Sequence, residues 1–305
     1  MSGAPLVGSP RGGSPRVGSR RGGSPRVGSP RGGAPRVGSP RVGAAPSPAA
    51  MWTILLLAGA VFIVPIIAMV QFSLRVGQTG KLGFLHYTSI FTSADGTYDV
   101  LFEGIGNSLV ICLITVLIVL VLLLPTMIFV ELKFPRLRRV LEFVCIIPIT
   151  IPSIVLVVGF VPVYSVVARV FGSEPWTLAL AIGVIVLPYA YRPIAANLAS
   201  IDVLVLGEAA RSLGAGWSSV ITRIILPNLR RGILSSCFIT IAVVLGEYTI
   251  ASFLSQTTFQ TSLILLQQTD PYVAVIFAVA ALVFAFLLLL LIGRLGSVRR
   301  VRRTP

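Results

Sequence analysis

Six apolar runs, at about 52–74, 107–130, 140–165, 176–199, 232–254 and 272–293, are each long enough to cross a bilayer. They leave this chain few folds to choose from. In hydrocarbon the backbone can hydrogen-bond only to itself, so spanning segments are helices or strands of a closed barrel. Barrel strands would be shorter and would alternate in polarity, which these runs do not. Pro65, Pro125, Pro148, Pro152, Pro188 and Pro193 fall inside the runs, where neighbouring helices can satisfy freed backbone groups, and they predict kinks. Hydrophobic residues make up 55% of the chain and charged residues 11%, outside the range of soluble domains. The fold class is therefore all-α: a polytopic membrane protein of six transmembrane helices.

Charge predicts the orientation. Of 25 Lys and Arg, 8 lie in the N-terminal tail, 4 between the second and third runs, 5 from Arg192 to Arg231, and 5 from Arg294 onward. Arg75, Lys81 and Arg169 alone fall on the other side. The positive-inside rule places both termini and the segment around residues 200–231 in the cytoplasm. The net charge of +15 does not point to nucleic acid, because the arginines mark membrane boundaries and a tail. Anionic lipid is the partner that such a pattern meets.

Residues 1–50 form a separate cytoplasmic tail. Glycine recurs every fifth residue from Gly3 to Gly43, in units close to Gly-Ser-Pro-Arg-Val. That period fits neither helix nor strand, and the segment has little apolar surface with which to build a core, so it is predicted to be disordered. A lipid tether or phosphorylation-sensitive arm is one reading; a tolerated extension is the plainer one. The charged part is too long for a signal peptide. Residues 297–305 read as a second, short basic tail, and 51–296 as the membrane domain.

Enzymatic and metal signatures are missing. Cys112, Cys145 and Cys237 each sit inside an apolar run and read as packing residues. His86 is the sole histidine, and no Cys-x-x-Cys exists, so no metal site is expected. Gly80-Lys81 is the only Gly-Lys pair, and it lacks the rest of a phosphate-binding loop. The chain is not an enzyme and binds no cofactor of its own; any ATP chemistry must come from another subunit.

Residues 208–227 carry the sharpest motif. Glu208-Ala209-Ala210 is followed after three residues by Gly214, and after nine more by Ile224, then Leu226-Pro227. Leu204–Leu213 and Trp217–Ile225 read as two short amphipathic helices, with Gly214 and Gly216 in the turn and Pro227 ending the second. This spacing resembles the EAA loop in permease subunits of bacterial ABC importers of type I. Hydropathy and helix order extend the resemblance over about 52–293, and the EAA segment is its specific part.

The resemblance implies a chain of the bacterial inner membrane that works with two cytoplasmic ATPase subunits, a second six-helix permease in a heterodimer, and an extracytoplasmic solute-binding protein. ATP and Mg would sit in the ATPase. Glu208, Ala209, Ala210, Arg211, Gly214, Ile224, Leu226 and Pro227 would form the ATPase-coupling loop, with Glu208 facing a basic group and the small alanines allowing close approach.

For the solute, Leu213-Gly214-Ala215 stands where sugar permeases carry Asp-Gly-Ala, which argues against a sugar importer. Pro152-Ser153-Ile154-Val155, Ser200-Ile201-Asp202-Val203 and Leu245-Gly246-Glu247-Tyr248 resemble the spermidine/putrescine branch. Permeases for thiamine, ferric iron, phosphonates and oxyanions share much of this pattern. Glu247 is a pathway candidate because a carboxylate within a span is costly unless it faces water or a partner. Sulfate- and molybdate-type permeases share its Leu-Gly-Glu context, so a structural or gating role stays open. Tyr248, Ser153, Tyr164 and Tyr191 are further pathway candidates, the tyrosines as faces for an alkylammonium. An ion-coupled secondary transporter is the rival class; it would show more intramembrane charge than Glu247 and Arg192.

Overall fold

The computed structural model describes residues 47–76, 81–92 and 96–297. Most of the repeat tail and all but the first residue of the basic C-terminal tail lie outside the described residues. The chain divides into a unit of residues 1–54, of which Ser47 and the opening turns of the first helix are described, and a unit of residues 55–305.

Helix α1 (Pro48–Ser73) opens on a proline, whose fixed φ suits a first helical turn. Two-residue strands β1 (Arg75–Val76) and β2 (Lys81–Leu82) then pair antiparallel, with Arg75 opposite Leu82. Helices α2 (Leu85–Thr92) and α3 (Asp99–Lys133) follow, and a 3₁₀ turn at Pro135–Leu137 leads into α4 (Arg138–Thr150). Next come α5 (Ser153–Phe171), α6 (Pro175–Ala199), α7 (Val203–Ser212) and α8 (Trp217–Leu245). The chain continues through α9 (Thr249–Phe253), α10 (Phe259–Thr269) and α11 (Pro271–Ser297). Six of these, α1, α3, α5, α6, α8 and α11, are long and apolar enough to span a membrane. The all-α, six-span fold class is thus what the chain adopts.

Two apolar runs do not fold as the sequence suggests. The third, expected as one helix over 140–165, is broken. Pro152 disfavours helical backbone at the residue before it, and Ile151 is extended at φ −100°, ψ 125°. Helix α4 ends there, and α5 starts anew at Ser153. The fifth run, expected over 232–254, instead begins at Trp217 and stops at Leu245.

Proline is handled by one device used twice. A π-helical turn, Val119–Leu123, directly precedes Leu124-Pro125 in α3, and another, Val220–Ile225, precedes Leu226-Pro227 in α8. A proline ring clashes with the carbonyl four residues back, and the wider turn moves that carbonyl away. Both helices therefore pass through their prolines.

Helix α6 lies at the centre of the larger unit, with Ile182, Val186 and Ile194 fully buried. Its main neighbour is α8, which supplies Val220, Ile225 and Leu229 to the same core. The crossing depends on Gly232, where a Cβ would lie 2.7 Å from Asn197 Cβ and 2.9 Å from the Pro193 carbonyl. Small residues of this kind let membrane helices approach closely. The Asn197 amide, turned so that its nitrogen faces carbonyls, donates to Asn228 O and Leu229 O at 3.2 Å each. Outward-facing positions are the apolar ones that lipid solvates, such as Leu57 and Phe62 on α1, Val158 on α5 and Phe286 on α11.

Candidate functional site

The EAA motif folds as a closed helical hairpin. Asp202 caps α7, its carboxylate accepting from Val205 N–H at 3.1 Å, which satisfies one of the donors left open at a helix start. The other end closes in a Schellman turn: Gly214 N–H donates to Arg211 O (2.9 Å) and Ala215 N–H to Ala210 O (3.1 Å). Gly214 carries φ +87°, and a Cβ there would meet nothing within 4 Å. Backbone conformation, not space, is what demands glycine. Gly216 is different: its backbone is extended (φ −73°, ψ 159°), and it caps the start of α8.

The hairpin has an inner and an outer face. Val203, Gly207 and Ala210 are buried, with Gly207 against Leu132 and Val220. Glu208, Ala209 and Arg211 are exposed, and Leu213 at the tip is 89% exposed. Ile224 and Leu226 are half-buried, Pro227 is exposed, and none of them marks a helix end. The expectation that Pro227 stops the second helix is corrected by the π turn before it: the hairpin's second arm is the first part of the fifth span. Helix α8 is thus one rod from the hairpin into the bundle.

Trp217 is a site residue that the spacing did not reveal. Its ring is approached by Arg211 Cζ at 4.8 Å and Lys133 Nζ at 4.9 Å from the centroid. Cation–π contacts of this geometry tie α7 and the end of α3 to the start of α8. An apolar cavity of about 660 Å³ opens beside it, bordered by Leu124, Phe129 and Ile221. The motif contains Arg211 and Trp217 but no sign of the third member of this clamp, because Lys133 lies far upstream, at the end of the second span.

The five pathway candidates are not gathered in one place. Tyr191 is buried near the ion pair of Arg138 Nη1 and Glu131 Oε1 (3.3 Å). Tyr164 pairs its hydroxyl with Thr177 Oγ1 at 2.8 Å, at the other end of α6. Ser153 is an exposed first residue of α5. Glu247 and Tyr248 sit together in the break after α8. There the Glu247 carboxylate supports the backbone, its Oε1 accepting from Ile250 N–H at 2.7 Å and so capping α9.

Residues 128–303, more than half of the chain, match the family described as binding-protein-dependent transport system inner membrane component. The chain belongs to this family. The matched region of this inner membrane component starts in the last turns of α3 and takes in the hairpin, the rod α8 and the break after it. The resemblance to ABC importer permeases, carried most sharply by the Glu-Ala-Ala spacing, is therefore borne out at family level. A stretch of 109 residues is 30% identical to the spermidine/putrescine transport system permease protein PotC of Haemophilus influenzae. It covers 36% of this chain and 41% of that relative, so the chain spans less than half the length of the relative it matches.

Proposed function

We propose that this permease is the membrane-spanning subunit of an ATP-driven, binding-protein-dependent importer of polyamines such as spermidine and putrescine. It forms half of the translocation pathway, paired with a second six-helix permease. Two cytoplasmic ATPase subunits hold the ATP and Mg, and one of them docks on this hairpin. Both termini face the cytoplasm with the hairpin, following the arginine distribution.

The observation that carries the coupling role is the outward face of the hairpin. Glu208 and Ala209 are exposed on a helix closed at both ends, and Leu213 projects from its tip. An exposed carboxylate beside a small residue and an apolar knob suits a cleft with a basic rim and an apolar floor. Because α8 is continuous from Trp217 to Leu245, force on the hairpin moves a transmembrane rod rather than a loop.

The polyamine assignment rests on the PotC relative and on the sequence likeness around residues 152–155, 200–203 and 245–248. Glu247 adds less to it than its position in a span suggests, since its carboxylate is engaged in capping. The test is reconstitution of this chain with its ATPase, partner permease and binding protein, followed by spermidine uptake with and without ATP. Uptake that needs ATP and the binding protein supports the proposal. Uptake that follows an ion gradient without ATP would make the chain a secondary transporter instead.

A further inference from the structure

The break after α8 opens a cleft of about 310 Å³ whose character differs from the rest of the molecule. Eight of its eleven lining residues are Ser, Thr, Gln or Tyr, while the 660 Å³ cavity near Trp217 is walled mainly by apolar side chains. Its volume falls at the lower end of the range for small-molecule sites. The side chains that matter are Tyr248, Ser252, Ser255, Gln256, Thr261 and Gln268.

Depth gives these groups their meaning. From Arg231 to Leu245, α8 rises about 21 Å. Counted from the arginines, the cleft therefore begins roughly two thirds of the way across a hydrocarbon core of about 30 Å. Among the described residues, the side chains of Tyr248, Ser252, Ser255 and Gln268 make no hydrogen bond to protein. Tyr248, Ser252 and Ser255, left open close to that depth, are costly against lipid and belong beside water or a solute.

The wall is also held rigid. Asn107 Nδ2 donates to Thr257 O (2.9 Å), Phe259 N–H to Ser108 Oγ (2.8 Å), and Ser262 Oγ to Val100 O (2.9 Å), fixing α10 to α3. Gln256 Nε2 donates to Ser173 O at 3.2 Å, fixing the cleft to the loop between α5 and α6. Ser255 closes α9 in a second Schellman turn at φ +54°, where glycine would be unstrained. A strained serine facing a polar cleft is what a functional constraint leaves behind.

We propose that this cleft is a solute subsite of the translocation pathway, in the half of the membrane away from the hairpin, and that it takes a protonated amine. No Lys or Arg lines it, its hydroxyl and amide oxygens can accept from ammonium groups, and the Tyr248 face can hold a cation. The choice of an amine rests on the polyamine reading; the cleft as a pathway wall does not.

The test uses Ser255→Cys, with Ser252→Cys as a second probe, in a full transporter complex whose Cys112, Cys145 and Cys237 are replaced by Ala. In nanodiscs, a cationic methanethiosulfonate reagent is expected to label either probe at rates differing by about fivefold or more between the nucleotide-free and vanadate-trapped states. Equal rates in the two states, or no reaction in either, would overturn the pathway role. With each rate divided by that reagent's rate toward a free thiol in solution, the cationic reagent is expected to be favoured about fivefold over its anionic counterpart, and an equal or reversed normalised ratio would overturn the cationic class. Spermidine is expected to slow labelling. If access alternates and cations are preferred, yet spermidine gives no protection, the cleft stands and the polyamine reading falls.

Discussion

Glu208 and Gly214 are two fixed positions of one motif, and the structure separates their work. Glu208 is exposed, and in the proposed coupling role its contribution lies outside this chain; Gly214, at φ +87°, shapes the chain itself. Glu208→Ala should remove a charge-assisted contact of about 1.5–3 kcal/mol, weakening ATPase binding roughly ten- to a hundredfold. Membrane insertion and thermal stability should stay at the parent level, and co-purification titrations with the ATPase would show it. Unchanged binding would remove Glu208 from the coupling role. Gly214→Ala should act through strain, since φ +87° costs an L-residue about 1–2 kcal/mol. Because no atom lies near the missing Cβ, Gly214→Asn should be milder, as asparagine tolerates left-handed backbone better. The expected order of transport rate is Gly, then Asn, then Ala. An order set by side-chain volume instead would mean that a partner packs against this position. Trp217 completes the residue-scale picture, since it holds the hairpin from behind through Arg211 and Lys133.

At the scale of elements, the hairpin's second arm and the fifth span are one helix, and the π turn at Val220–Ile225 sets the rotation between them. Pro227→Ala would restore an N–H and remove the clash with the Arg223 carbonyl, so the turn could relax to α-helix. Losing one residue of register would rotate the hairpin by about 100° relative to the bundle, turning Glu208 away from its partner. ATPase stimulation should fall several-fold while thermal stability holds or rises; lost stability with intact stimulation would assign Pro227 to packing alone. This turn also explains what sequence could and could not tell. The six spans were legible because hydrocarbon leaves the backbone no alternative to a helix. The hairpin was legible because Glu208, Gly214 and Leu226-Pro227 keep a fixed spacing. The fate of Pro227 was not, since a proline stops a helix or passes through a π turn according to packing that lies elsewhere in the chain. The break at Ile151 had a local signal in Pro152, which the length of the apolar run masked. The polar cleft had one too, in Ser255-Gln256-Thr257-Thr258, but only the bonds to Asn107 and Ser108 bring that segment back against α3.

For the whole molecule, the division of labour between the membrane domain and the repeat tail is open to a direct test. The tail's serines, prolines and arginines supply almost no apolar surface, so nothing in its composition would repay the entropy of ordering it against the bundle. Deleting residues 2–45 should therefore leave assembly and transport near the parent level. Topology should survive as well. The segment between the second and third spans keeps 4 Lys and Arg, that from Arg192 to Arg231 keeps 5, and the end from Arg294 keeps 5. These lie close to the spans, where positive charge acts on orientation. Helix α1 loses the arginines upstream of it, so a modest fall in expression is expected and does not bear on the tail's role. The deciding measurement is spermidine uptake per correctly inserted complex at matched abundance, in vesicles with neutral lipid and with anionic lipid. Equal uptake by parent and deletion in both membranes assigns transport to the membrane domain alone. A loss confined to anionic membranes would make the tail a lipid tether, because eight arginines screened by no acidic residue gain most from a negative surface. A loss in both would place the tail on a protein partner, with the ATPase beside the hairpin as the first surface to test by cross-linking.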